Sequence, residues 1–186
     1  AYLCFSRDCL EKAMKNIDLS GLDGKSIFIT GGLGLICSAI VDVLICYGKT
    51  NICVGARDEQ RFQERFGGCD RVKFVPYDAL SGLNLTMKPD YIIHGAGLAS
   101  PVLYTSMPVE TVLSNFDGVH SLLEFAKINK VNRLLYVSSS EVYGKKTTEE
   151  PFVEDTYGEV DIDNIRSSYA IAKRASEMLC KAYASE

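Results

Sequence analysis

No stretch of this 186-residue chain is apolar over the ~20 positions that a membrane-spanning helix needs. A signal-peptide pattern is missing too, because Arg7, Asp8, Glu11 and Lys12 interrupt the N-terminal segment early. The expectation is a cytoplasmic protein with no membrane partner. Basic residues form no long run, and 20 Lys and Arg are outnumbered by 24 Asp and Glu, for a formal net charge of −4. That speaks against a nucleic-acid partner. Histidine is scarce, with only His94 and His120, and no two of the seven cysteines form a C-x-x-C pair. No metal site is therefore expected. Cys4, Cys9, Cys37, Cys46, Cys53, Cys69 and Cys180 are odd in number, and Cys46 and Cys53 lie in apolar runs. They read as small hydrophobes of a reducing compartment. Internal repeats and low-complexity tracts are absent.

The chain has the composition of an ordinary globular domain, 47% apolar and 24% charged. Leu3, Leu10, Met14 and Ile17 stand close to helical spacing, so residues 1–18 read as an N-terminal helix laid on a domain of residues 19–186. After a turn-rich connector at 19–25, strands and helices alternate. Strands are expected at 26–30, 51–56, 72–77, 91–94 and 133–138. Helices are expected at 35–47, 59–66, 111–127 and 168–183. Buried strands alternating with helices imply parallel pairing with right-handed crossovers, hence an α/β fold with a doubly wound parallel sheet of the Rossmann type. Such a sheet binds its ligand at the carboxyl ends of its strands.

The segment Thr30-Gly31-Gly32-Leu33-Gly34-Leu35-Ile36 leaves the first strand and opens the first long helix. Gly31 permits a tight turn, Gly34 lets the backbone approach a pyrophosphate, and the N–H groups of Leu35 and Ile36 are set to bind the anion. A plain turn is the alternative. A third glycine of the pattern would fall at position 37, where the chain has Cys37; that glycine ordinarily serves close helix–strand packing. After the second strand, where a carboxylate would hold the ribose of NAD, stands Arg57, which suits the extra phosphate of NADP, with Asp58 next to it. Solvation alone would also account for Arg57. Asp78, after the third strand, is placed to accept a hydrogen bond from adenine. His94-Gly95-Ala96-Gly97 ends the fourth strand in small residues, so that a cofactor can lie against the backbone at Ala96. Asn115, early in the long helix, is either a cofactor contact or a support for the neighbouring loop.

Tyr169 and Lys173 form a Y-x-x-x-K pair that shares one face of the last helix. The lysine charge would lower the phenol's pKa, so that the tyrosinate can take a proton from a substrate hydroxyl as hydride leaves. Lys173 can also hold the cofactor's ribose. Alone, such a pair is near what chance supplies. Ser138-Ser139-Ser140-Glu141 adds weight, because it ends the fifth strand at the same edge of the sheet. Glycine turn, serine and Tyr/Lys pair then occur in the order one active site requires.

The motifs TGGLGLI, YVSSSEVYG and RSSYAIAKRASE resemble the extended short-chain dehydrogenase/reductase family, in its group of sugar-nucleotide epimerases, dehydratases and decarboxylases. The resemblance covers residues 24–186. It implies a catalytic serine at Ser139, the catalytic tyrosine and lysine at Tyr169 and Lys173, and the adenine-binding aspartate at Asp78. The Asp-Glu pair of the 4,6-dehydratases is Ser140-Glu141 here, and Ser-Glu-Val-Tyr-Gly is most similar to UDP-glucuronate decarboxylases, with Glu141 beside the sugar ring. The implied function is NAD(P)-dependent modification of a nucleotide-sugar through transient oxidation at C4: a decarboxylase first, a dehydratase second, a 4-epimerase third. The rivals are a catalytically silent dinucleotide-binding module and a plain carbonyl reductase. NAD is the expected cofactor, NADP the alternative, and a homodimer the expected state of a full-length protein. Members of the group continue well beyond the lysine, whereas 13 residues follow Lys173 here. The expectation is a cofactor domain whose C-terminal substrate domain is missing.

Overall fold

The computed structural model describes residues 6–81, 83, 85–146 and 148–186. Strands β1 (Ser26–Thr30), β2 (Asn51–Ala56), β3 (Val72–Pro76), β4 (Tyr91–His94) and β5 (Arg133–Tyr136) form one sheet in the order β3-β2-β1-β4-β5. Every neighbouring pair is parallel, with Ile27 beside both Ile52 and Tyr91, and Thr30 beside both Gly55 and His94. Helices α1 (Arg7–Met14), α2 (Leu35–Tyr47), α3 (Glu59–Phe66), α4 (Pro101–Ser106), α5 (Pro108–Asn129) and α6 (Ser168–Ser185) complete the fold.

Alternation along the strands divides the core into two layers. Ile27 and Ile29 of β1, with Ile52 and Val54 of β2, meet Val41 and Leu44 of α2 and Phe62 and Phe66 of α3. Phe28 and Cys53, on the opposite face, meet Tyr77, Ile92 and Leu122 of α5. Sequence windows 26–30, 35–47, 51–56, 59–66 and 91–94 coincide with the observed elements. The third and fifth strands end earlier than expected, at Pro76 and Tyr136. Their ladders run one residue further, through the bonds Tyr77 N–H to Ala56 O and Val137 N–H to His94 O.

Three boundaries differ more. The N-terminal helix covers only Arg7–Met14, with Ser6 as its cap; residues 1–5 of the expected span, Cys4 among them, lie outside the described residues. The long helix starts at Pro108 instead of 111, and the short α4 was not expected. Both begin on a proline, whose fixed φ and missing N–H suit the first helical position. Among the cysteines, Cys37 and Cys53 are buried, Cys46 is half-buried and Cys9 is exposed, and the six described ones are all free thiols.

Chain order sets the position of the site. From β1 the chain winds outward through β2 and β3, then returns to the other side of β1 to add β4 and β5. The loops after β1 and β4 therefore diverge, and the crevice between them is where an open α/β sheet takes its ligand.

Candidate functional site

Gly31 leaves β1 with φ of +69°, a conformation few side chains adopt. A Cβ there would stand 2.7 Å from the carbonyl carbon and oxygen of Gly95 and 2.8 Å from the Ala96 nitrogen. The two diverging loops thus touch backbone to backbone. Gly34 caps α2 with no side-chain bond, so the first-turn N–H groups of Leu35 and Ile36 face outward with the positive end of the helix dipole. Cys37 is accommodated from the strand side. Its sulfur fills the space that a side chain at Gly95 would need, so the glycine absent from the helix is matched by one after β4.

A cleft of about 400 Å³ opens from this turn along the carboxyl edge of β1, β2 and β4. Gly31, Gly34, Arg57, Asp78 and Ala96 all line it. One carboxylate oxygen of Asp58 accepts the Arg61 N–H at 2.9 Å and caps α3, which occupies the acid nearest Arg57. Arg61 also lines the cleft; the sequence reading passed over it, although it stands one helical turn after Arg57. Asp78 holds its own turn by accepting the Leu80 N–H at 3.0 Å. Ala96 N–H points to Thr30 Oγ1 at 3.3 Å. Asn115 is buried, and its amide donates to the carbonyls of Leu98 (3.1 Å) and Thr111 (2.8 Å); its neighbour Ser114 reaches the cleft wall. A glycine-walled crevice that a Cβ would fill, with an uncapped helix start at its end, fits a dinucleotide pyrophosphate. Residues Gly31 and Gly34, with the N–H groups of Leu35 and Ile36, would hold it.

The second group gathers on α6 and the loop after β5. Tyr169 and Lys173 are 6% and 5% exposed. Lys173 donates to the Val137 carbonyl at 2.9 Å, which ties α6 to the end of β5 just before Ser139. Its ammonium lies 4.5 Å from the Tyr136 ring and 5.7 Å from the Tyr169 ring. Burial lowers its pKa to about 8, with Glu177 and the Cys37 thiol opposing. Ser139 begins the 3-10 turn Ser140–Tyr143, and its hydroxyl accepts the Glu141 N–H at 3.3 Å.

Two further residues belong to this group and escaped the sequence reading. Tyr104 of α4 stacks on Tyr169 with centroids 4.4 Å apart and planes 8° from parallel. Burial, then the neighbouring Tyr169, push its phenol pKa up, so it stays a neutral donor. Arg166 grips Glu141 with both nitrogens, at 2.7 and 3.0 Å. That bond, more than any other cause, holds the Glu141 carboxyl below its usual pKa. Tyr104 lies on the helix that periodicity missed, and Arg166 three residues before Tyr169 carries no spacing signal.

The fold is the nucleotide-binding α/β fold of the Rossmann type, with its crevice built for a dinucleotide. Residues 27–186 match the model of the NAD dependent epimerase/dehydratase family, and the chain belongs to that family, whose enzymes use NAD. It is 34% identical over 168 residues to UDP-glucuronic acid decarboxylase 1 of Danio rerio, covering 89% of this chain and 39% of that protein. It is 32% identical over 168 residues to the UDP-N-acetyl-alpha-D-glucosaminuronate decarboxylase of Bacillus cytotoxicus, covering 86% of this chain and 50% of that protein. The chain thus spans half or less of these relatives' length. The fold is shared with dTDP-glucose 4,6-dehydratase from Bacillus anthracis in complex with NAD, at a TM-score of 0.68 and 23% identity, over 87% of this chain and 51% of that one. Among the described residues, no helix is long and apolar enough to cross a membrane, and no group of His, Cys, Asp and Glu is arranged to hold a metal.

Proposed function

We propose that residues 19–186 form the cofactor-binding domain of an enzyme that oxidises a nucleotide-sugar transiently at C4, and that the enzyme is a decarboxylase of a hexuronate carried on a nucleoside diphosphate. The observation that carries this reading is Glu141 following Ser139 at the β5 edge, on the same side of the sheet as Tyr169 and Lys173. A plain carbonyl reductase has no use for that glutamate.

NAD, which Gly31, Gly34 and the N–H groups of Leu35 and Ile36 would hold, would supply the hydride acceptor for C4 and the hydride donor for its later reduction. Tyr169 takes the proton of the C4 hydroxyl on its phenol oxygen. Lys173, anchored on the Val137 carbonyl, places a positive charge beside that ring. Ser139 hydrogen-bonds the same hydroxyl. Once C4 is a ketone, the substrate is a β-keto acid. Its C5–C6 bond breaks, carbon dioxide leaves, and the electron pair passes through C4 to oxygen as an enolate; C5 then takes a proton from water, which restores the C4 ketone, and Tyr169 returns its proton to the C4 oxygen as C4 is reduced. The Tyr104 ring keeps Tyr169 in one orientation through the cycle. Arg57 and Arg61 at the cleft wall favour a 2′-phosphate, so NADP is the second cofactor to test.

The test is incubation of the full-length translation product with NAD and a panel of sugar nucleotides, with product masses measured. Loss of 44 Da from a UDP-hexuronate is the expected result (the mass of carbon dioxide). Loss of 18 Da from a neutral hexose would make the protein a dehydratase, and an isomer of unchanged mass an epimerase. No product from any substrate would favour a silent dinucleotide-binding module.

A further inference from the structure

Arg166 is a strongly engaged cation beside the site that the reaction above leaves without a role. Its position is set from three sides. Asn164 Oδ1 accepts the Arg166 N–H at 3.1 Å and starts the 3-10 turn Ile165–Ser167. The guanidinium lies 5.8 Å from the Tyr104 ring, whose neighbour in the stack is Tyr169. Its two nitrogens meet the two oxygens of Glu141 in the parallel fork that binds a carboxylate best. Glu141 is itself fixed, by the bond from its N–H to Ser139. The pair borders a second cleft, of about 490 Å³, that reaches Ala170 beside the catalytic tyrosine. Both side chains are partly exposed, 49% for Arg166 and 32% for Glu141, so the pair contributes little to folding. Its geometry bears on chemistry instead.

We infer that Arg166 is a positioning residue that holds Glu141 as a fixed anion at the mouth of this cleft, so that Glu141 accepts a proton or repels negative charge and does not donate a proton. The inference rests on the reading that Glu141 faces the sugar. Other charged and titratable groups around Glu141 are Lys145, Glu159 and Asp161 of the same cleft and the Tyr104 phenol. Burial favours protonation of Glu141, and the fork from Arg166 outweighs it. Elimination of a hydroxyl needs a proton acceptor at carbon and a proton donor at the leaving oxygen. Ser140 offers no acid, and a forked carboxylate has no proton to give. Loss of carbon dioxide from a β-keto acid needs no donor at a leaving oxygen. Arg166 thereby selects against dehydration.

The decisive measurement does not depend on turnover. In the full-length protein, the carboxyl carbon of Glu141 is followed by NMR as pH is varied, its signal assigned by loss in Glu141→Gln. The wild-type midpoint should lie below that of an ordinary glutamate, and Arg166→Met should move it upward. Should that variant fail to fold, Arg166→Gln, which removes the charge and the fork but keeps a polar amide on a shorter chain, carries the same test. An unmoved midpoint overturns the inference. Kinetics add a second readout. Arg166→Met should lower kcat on the order of tenfold or more, with a smaller change in KM, and shift the acid limb of the kcat profile to higher pH. Arg166→Lys should return the limb toward its wild-type position. In a Glu141→Gln background, Arg166→Met should cost nothing further, because it acts through Glu141; losses that multiply would refute this. Failure of the proposed function shows separately, as a wild-type protein that forms no product yet gives the expected NMR midpoints.

Discussion

Gly31 and Gly34 sit three residues apart in one turn, and the structure predicts opposite consequences for filling them. At Gly31 the backbone is left-handed, and a new Cβ would press on three backbone atoms of Gly95 and Ala96 at 2.7–2.8 Å. Left-handed backbone costs a side chain about 1–2 kcal/mol, and forcing two packed segments apart about 1–3 more. Gly31→Ala should therefore lose about 2–5 kcal/mol, or about 5–15 °C in Tm for a chain of this size. Gly34 has ordinary φ and ψ of −79° and 164°, and its new Cβ would meet just the Gly31 carbonyl oxygen at 3.1 Å. A side chain there costs the fold below about 1 kcal/mol, yet it occupies the wall where the anion must sit. Gly34→Val should keep a near-normal Tm while losing two charged hydrogen bonds to the pyrophosphate. At about 1.5–3 kcal/mol each, that is a fall in NAD affinity of about 100-fold or more. Thermal unfolding and calorimetric titration of both variants decide the matter. A Gly34→Val protein that binds NAD normally would show that the turn does not cradle phosphate. A Gly31→Ala protein as stable as wild type would refute the strain argument.

Tyr169→Phe keeps the ring on Tyr104, so folding and NAD affinity should hold while turnover drops about 100-fold or more by loss of the proton acceptor; near-normal steady-state rates would remove Tyr169 from the mechanism. Arg57→Ala should weaken NADP more than NAD by about 1–3 kcal/mol in parallel titrations, and equal effects would mean that Arg57 is merely solvated. His94 is fully buried, shares a 2.6 Å hydrogen bond with Thr30 and has its pKa lowered by burial to about 3 from 6.5. The unfolded chain then binds a proton below pH 6.5 that the folded one refuses, so stability should fall by about 2–3 kcal/mol between pH 6.5 and 4.5. Urea midpoints across that range should fall less steeply for His94→Asn, and identical slopes would contradict the assignment.

Much of the sheet could be read from the chain because its central strands are apolar on both faces and the intervening helices are periodic. Ser26–Thr30 and Asn51–Ala56 are short, continuous and β-branched, and a strand buried on both sides has few other ways to read. The glycine turn was legible for a related reason, since its place between a strand and a helix is itself a sequence property. Helix α4 was not legible. Six residues cannot show a helical period, and the two prolines that start α4 and α5 resemble loop markers until the helices behind them are known.

The site divides along the same line. Tyr169 and Lys173 share a helix, so their spacing announced them. Ser139 and Glu141 follow a strand that could be recognised. Tyr104 announces nothing and Arg166, though it opens the motif RSSYAIAKRASE, does not announce its partner, because each acquires that partner through packing: Tyr104 when α4 folds against the start of α6, Arg166 when the turn before α6 meets the turn after β5. Cys37 shows the limit most sharply. Read along the chain, it breaks the glycine pattern and weakens the case for close helix–strand approach. The parallel register that sets Thr30 beside His94 brings Gly95 against the first turn of α2, where the sulfur needs room. A pattern counts glycines along one segment, but packing counts the atoms in the space between two. One missing side chain suffices for close approach, and it can be missing from either element.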